Sequence, residues 1–158
     1  MKTMRLLIFS DTHGRREPML ELYKTYPNDG IIHLGDYIAD ARWMRERTNG
    51  HPVYAVRGNC DYGDTGPEEQ LLQLGGVTLL LMHGHRYRVK DGYEAAFQAA
   101  AARGASVLLF GHTHRPFLEK RDGILMMNPG SLHHAAGEYG ILEIDGNRAE
   151  GALLHQYE

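Results

Sequence analysis

Five short stretches of this sequence place metal-binding side chains directly after runs of apolar residues. They are Ser10-Asp11-Thr12-His13, Gly35-Asp36, Gly58-Asn59, His83-Gly84-His85 and Gly111-His112-Thr113-His114. Asp11, His13, Asp36, Asn59, His83, His112 and His114 together offer carboxylate oxygens, an amide oxygen and imidazole nitrogens. That donor set suits Mn²⁺, Fe²⁺, Zn²⁺, Co²⁺ or Ni²⁺. A structural zinc closes with four ligands, so this set is larger than one such site needs. Two ions sharing a bridging carboxylate would use every donor. Such a pair, roughly 3.5–4 Å apart, clamps a phosphoryl group and generates a nucleophile from water at neutral pH.

The elements that must position these groups follow from the apolar periodicity. Arg5–Phe9, Ile31–Leu34 and Val53–Val56 are short continuous apolar runs, the pattern of strands buried on both faces. Between the first two, Met19, Leu22, Tyr23 and Tyr26 recur at helical spacing, with Pro18 suited to the first turn and Pro27 to the stop. Asp40 is a candidate cap for a second helix that ends near Asn49-Gly50. This order predicts a parallel βαβαβ core with right-handed crossovers. Gly75-Gly76 predicts a hairpin between Glu68–Leu74 and Val77–Met82, and Asp122-Gly123 and Asp145-Gly146 predict two more. Asp91-Gly92-Tyr93-Glu94 has the form of a capping box before an apolar stripe of Tyr93, Ala96, Phe97, Ala100 and Ala101, which Gly104 ends. Val107–Phe110 is a further buried-type strand. The expected class is α/β, with mixed sheets and helices outside. Ligand sites in such sheets lie beyond the carboxyl ends of the strands, where the five stretches would converge. Glycine beside the donors lets the backbone turn sharply and come close to an ion.

The bulk properties narrow the partners. A length of 158 residues with 42% hydrophobic side chains fits one domain, residues 1–158, with a real core. A net charge of −3 and the lack of a Lys/Arg run argue against a stable nucleic-acid partner. The single cysteine, Cys60, excludes an internal disulfide and fits a reducing compartment. The apolar run at the N-terminus is too short for a signal peptide, and no stretch reaches the ~20 residues of a membrane span. The expectation is a cytoplasmic protein without a membrane partner. Edge strands in the C-terminal hairpins leave a homo-oligomer open.

In their fixed order, Asp11-Thr12-His13, Gly35-Asp36, Gly58-Asn59, His83 and Gly111-His112-Thr113-His114 resemble the signature of the calcineurin-like metallophosphoesterases. The length, His83-Gly84-His85 and Asn128-Pro129-Gly130-Ser131 are similar to the compact prokaryotic phosphodiesterases of that superfamily, and the resemblance runs from Met4 to the last strands. It implies a four-layer α/β/β/α sandwich of two mixed β-sheets flanked by helices. It implies two divalent ions per chain, Mn²⁺ favoured, and a small phosphate-ester substrate. One ion would be held by Asp11, His13 and His114, the other by Asn59, His83 and His112, with Asp36 bridging. The implied reaction is in-line attack on phosphorus by a hydroxide shared between the ions, with Asp36 and Asn59 as catalytic residues and Asn59 facing the substrate. His85, which alternates with His83 around Gly84, reads as a contact to substrate phosphate or as a support behind the metal ligands.

Many members of the superfamily carry histidine after the Gly-Asn pair, where this chain has Cys60. A thiol with an ordinary pKa of about 8.5 is a poor general acid at neutral pH, so phosphodiesters with good leaving groups are expected to be preferred over monoesters. The ordinary alternatives are plainer. Cys60 would then be a small buried packing residue. His33, inside an apolar run, reads as a core histidine, and His133-His134 as either near the site or solvated. The competing function is a non-catalytic scaffold, as the resemblance to the retromer subunit of the same fold implies. That subunit has an altered metal site, whereas this chain keeps the whole donor set.

Overall fold

The structure, a computed structural model, describes residues 3–64 and 66–157. Its elements run β1 (Met4–Phe9), α1 (Glu17–Thr25), β2 (Gly30–His33), α2 (Ala39–Arg47), β3 (Val53–Ala55), β4 (Glu69–Leu74), β5 (Val77–Met82), α3 (Glu94–Ala102), β6 (Val107–Leu109), β7 (Phe117–Arg121), β8 (Ile124–Asn128), β9 (Glu138–Asp145) and β10 (Arg148–His155). Two short 3₁₀ turns, His85–Tyr87 and Val89–Asp91, lie between β5 and α3.

The strands form two five-stranded sheets, ordered β10-β9-β1-β2-β3 and β4-β5-β6-β8-β7. β1, β2 and β3 are parallel, which confirms the βαβαβ core. β5, β6 and β8 are parallel in the second sheet. The three expected hairpins all form, pairing β4 with β5, β7 with β8 and β9 with β10. The sequence pattern did not divide the hairpins between the sheets: β9 returns antiparallel beside β1, whereas β7–β8 joins the other sheet.

Alternation along the buried strands creates the layers, since successive side chains point to opposite faces. Leu6, Ile8, Ile32 and Leu34 meet Leu79, Leu81, Val107, Leu109, Leu125 and Met127 in a core between the sheets. Their neighbours Leu7, Phe9 and Ile31 pack outward on Met19 and Leu22 of α1 and Ala41 and Met44 of α2. On the far side Leu80, Met82, Leu108 and Met126 receive Ala96, Phe97 and Ala100 of α3. The result is the four-layer α/β/β/α sandwich. Truncating a residue such as Ile8 to Ala in the inter-sheet core costs about 2–5 kcal/mol, because both sheets are held by that layer.

Two expected caps are corrected. Asp40 lies inside α2, with Ile38 at the N-cap and no side-chain cap bond. The Tyr37 and Ile38 amides bond instead to Asp61, at 2.8 and 2.9 Å. Likewise α3 starts from Tyr93 without a side-chain cap, and Asp91 closes the preceding 3₁₀ turn. In both places a partner distant in sequence or a tighter turn replaces the local capping pattern. Among the described residues, no helix is long and apolar enough to cross a membrane.

Candidate metal centre

The ends of β1, β2, β3, β5 and β6 release their chains on one side of the sandwich. Asp11 and Asp36 form its floor, both buried. Each carboxylate is divided in the same way. Asp11 Oδ2 accepts from Ser10 Oγ at 2.5 Å and from the His112 amide at 3.1 Å. Its Oδ1 faces His114 Nε2 at 3.1 Å, His83 Nε2 at 3.8 Å and His13 Nε2 at 3.9 Å. Asp36 Oδ1 accepts from the Cys60 amide at 2.9 Å, and its Oδ2 faces His83 Nε2 at 3.4 Å and His13 Nε2 at 3.9 Å. One oxygen of each is thus fixed by the fold and the other is presented to imidazoles.

Ligand atoms of Asp11, His13, Asp36 and His114 all lie within 4.8 Å of one another. His13 Nε2 is buried and has no hydrogen-bond partner among the described residues, although two carboxylate oxygens stand 3.9 Å away. That spacing is too long for a hydrogen bond. It suits donors around a cation bound at about 2.0–2.2 Å to each, and the oxygen and nitrogen set has the right chemistry. The described residues therefore fit a divalent ion.

The other candidate donors lie on the opposite flank. His112 Nδ1 is 3.2 Å from His83 Nε2, and the two rings are 5.0 Å apart. The His85 ring is 5.6 Å from that of His83 and 6.2 Å from that of His112, with Nδ1 buried and unpartnered among the described residues. Asn59 is exposed at the rim, its amide 3.7 Å from Cys60 Sγ. Cys60 is exposed as well, which corrects the expectation of a buried packing residue: its backbone amide and its thiol both engage Asp36 from the rim. His133 stands edge-on to His13, ring centroids 5.7 Å apart, whereas His33 is a fully buried core histidine.

The backbone carries the imprint of this convergence. Asp11, His13, Asp36, His112 and His114 all have positive φ, between 47° and 71°. A non-glycine residue there costs about 1–2 kcal/mol, so the surrounding contacts must impose it. Neighbouring glycines are required by space. A Cβ on Gly58 would overlap the Asp36 carboxylate, and one on Gly111 would overlap Ser10 Oγ and stand 2.9 Å from Asp11 Oδ2. They make room for carboxylates, a closer reason than approach to the ion.

Three supports were not legible as functional residues. Asp61 accepts from the amides of Asp36 (3.0 Å) and Gly58 (2.7 Å) as well as those of Tyr37 and Ile38, which ties the Gly-Asp loop to the Gly-Asn loop. Asp40 accepts from Thr12 Oγ1 at 2.6 Å and from the Gly14 amide at 3.0 Å. Thr12 Oγ1 lies 2.9 Å from His33 Nε2, and His33 Nδ1 accepts from the Gly35 amide at 3.1 Å. Asn128 donates to the Gly111 carbonyl oxygen at 3.1 Å and to Thr113 Oγ1 at 2.8 Å. Asp61 lies two places after Asn59, Asp40 four after Asp36, and Asn128 opens the Asn128-Pro129-Gly130-Ser131 stretch, but nothing local to these positions assigns them a supporting role.

Proton affinities follow the packing. Burial opposes the charge on Asp36, but the His83 hydrogen bond and charge and the Cys60 bonds outweigh it and hold this carboxyl well below the usual range. Burial likewise opposes charge on His83, yet Asp36 and Asp11 raise its pKa. His114 is raised first by its bond to Asp11. His112 is lowered to about 4 by burial and then by the charge of His83.

A four-layer sandwich whose strand ends gather carboxylates and imidazoles around a cation-sized gap defines a class of metal-dependent hydrolases. The chain belongs to the calcineurin-like phosphoesterase superfamily, whose domain model matches residues 4–147. It is 33% identical to the phosphodiesterase YfcE of Escherichia coli K12, across 90% of this chain and 89% of that protein. Among solved structures it is similar to a Streptococcus pneumoniae protein described as a predicted phosphoesterase, with a TM-score of 0.82 at 25% identity over 98% of this chain and 91% of the other. Vacuolar Protein Sorting 29 from Cryptosporidium parvum shares the fold, with a TM-score of 0.79 at 19% identity over 99% of each chain.

Proposed function

We propose that this protein is a phosphodiesterase that works with two divalent metal ions, Mn²⁺ favoured, on a small phosphate diester. The observation that carries the reading is the position of Asp36 Oδ2, with His13 Nε2 at 3.9 Å on one side and His83 Nε2 at 3.4 Å on the other. Asp36 is then the shared ligand, Asp11, His13 and His114 complete one site, and Asn59, His83 and His112 complete the second. Ions held there would supply Lewis acidity to the phosphoryl oxygens and a nucleophile from water. Asp36 stays ionised because its pKa is depressed, so it keeps its donor strength. Asn59, exposed at the rim, and His85, whose Nδ1 has no partner among the described residues, would hold phosphoryl oxygens. Burial and then the charge of His83 lower the pKa of His85, which keeps it neutral and able to donate or accept.

Preference for diesters rests on Cys60 and is supported by the likeness to YfcE. The thiol is pushed up to about 11, so it does not serve as an acid near neutral pH, and esters with self-sufficient leaving groups are favoured. A lone, exposed cysteine and a need for free divalent ions suit the cytoplasm as the working place.

The test is hydrolysis of bis(p-nitrophenyl) phosphate with and without Mn²⁺, in wild type and in Asp36→Ala shown to be folded by circular dichroism. Turnover is expected only in the metal-loaded wild type. No turnover with any divalent ion would favour the scaffold reading, which the shared fold with Vacuolar Protein Sorting 29 keeps in play. Equal rates in both proteins would refute the role of Asp36.

A further inference from the structure

The loop that delivers His112 and His114 to the centre also sends alternate residues elsewhere. Thr113 and Arg115 line a cavity of about 490 Å³, together with Val89, Lys90, Gly92 and Tyr93. That volume falls within the range of small-molecule sites, about 300–1,000 Å³. Its walls are fixed. Val89 is buried against α3 and so close to Gly84 that a Cβ there would stand 2.8 Å from Val89 Cγ2. Lys90 therefore projects from an anchored turn. Tyr93 is clasped between the rings of Phe110 and Phe117, at 4.8 and 4.6 Å. Thr113 is tied to the buried Asn128.

The charge of the cavity is unusual in a chain with net −3. Among the described residues, neither Lys90 nor Arg115 has an ion-pair partner. Asp91, also in the wall, is paired with Arg88 at 3.4 Å. On the other rim the arginines are occupied: Glu68 binds Arg57 at 2.6 Å and Arg86 at 3.0 Å.

We propose that this cavity seats a second phosphate, carried by one of the two alcohols of the diester, so that the substrates are diesters of already phosphorylated alcohols. The inference rests on the phosphodiesterase reading and extends it to a substrate class. Two cations on an otherwise acidic protein select a doubly anionic ligand by charge-assisted hydrogen bonds, with Arg115 supplying a planar fork and Lys90 a point charge. His114 lies between Thr113 and Arg115 in the chain, so the metal centre and the cavity are built from the two sides of one loop.

The test compares two probes that differ only in the second phosphate: thymidine 5′-(p-nitrophenyl phosphate) and its 3′-phosphorylated form. In the wild type kcat/KM is expected to be about tenfold or more higher for the phosphorylated probe, and this ratio should collapse toward one in Lys90→Ala/Arg115→Ala. No preference in the wild type, or a preference that survives in the double variant, overturns the proposal. If the wild type hydrolyses neither probe, the phosphodiesterase reading has failed and binding decides the cavity. Calorimetric titration with thymidine 3′,5′-bisphosphate should then show binding that weakens about tenfold in the double variant. Absent or unchanged binding overturns the assignment.

Discussion

His83 donates through Nδ1 to the carbonyl oxygen of Leu34 across 2.7 Å, which turns its Nε2 toward Asp36 and His112. A carbonyl oxygen only accepts, so this bond fixes the proton on Nδ1 and leaves Nε2 as the ligand atom. Without a cation, Asp36 and Asp11 favour a second proton on that nitrogen despite burial, and the pKa is raised. Ligation requires Nε2 to give the proton up. Adding Mn²⁺ to metal-free protein in weak buffer at pH 7 is therefore expected to release more acid per chain from wild type than from His83→Gln. Identical release, followed in a pH-stat, would break the link between His83 and the metal.

Asp61 serves the site without touching the donor cluster. Its four backbone bonds, all between 2.7 and 3.0 Å, hold the loops after β2 and β3 in register. Asn in its place keeps the size but offers one acceptor oxygen, leaving amides facing an NH₂ group. The expected cost is about 2–4 kcal/mol in urea denaturation, with a weaker response to Mn²⁺ as Asp36 loses its placement. An unchanged denaturation midpoint would show that water replaces the carboxylate.

The strands and the donors they carry were legible because each side of the argument is local. An apolar run followed by Asp, Asn or His can be read without knowing its neighbours, and the expected donors other than exposed Asn59 meet in close contacts within the crevice. What was not legible depends on pairing across space. Asp40 has the sequence position of a cap but turns inward to Thr12, while Asp61, three residues after Gly58, takes the amides at the start of α2. Choosing between these aspartates requires the packing of β2 on β3. Cys60 misled for a related reason: small apolar side chains are usually buried, but here the residue stands exposed at the rim, where its backbone amide holds Asp36.

His33 makes the scaffold sensitive to acid. It donates from Nε2 to Thr12 Oγ1, whose own hydroxyl proton goes to Asp40, and it accepts at Nδ1 from Gly35, so the neutral ring satisfies every bond. Burial lowers its pKa to about 4, against 6.5 in the unfolded chain, although Asp40, Asp61 and Asp11 pull the other way. The unfolded state therefore binds the proton first. The contribution is complete above pH 6.5 and is lost as pH falls toward 4, amounting to about 2 kcal/mol at pH 5. Urea midpoints of wild type should fall between pH 7 and 5 by more than those of His33→Gln. Parallel losses in both would place the acid sensitivity elsewhere.

Cys60 sets the expected limit on monoesters, and a single substitution tests it. Partial desolvation comes first, then the hydrogen bond to Asp36 and the charges of Asp36, Asp61 and Asp11, and together they push the thiol up to about 11. It neither attacks as a thiolate nor yields its proton to a departing alkoxide at neutral pH. The side chain is exposed, so an imidazole fits there without disturbing the core, and the backbone amide that holds Asp36 is kept. Cys60→His is expected to raise kcat/KM for p-nitrophenyl phosphate relative to bis(p-nitrophenyl) phosphate by about tenfold or more, since a positioned acid contributes on the order of 10²–10⁴. The gain should shrink as pH rises past the imidazole pKa. A ratio that does not move would mean that monoesters are limited by binding of their second charge, not by protonation of the leaving group.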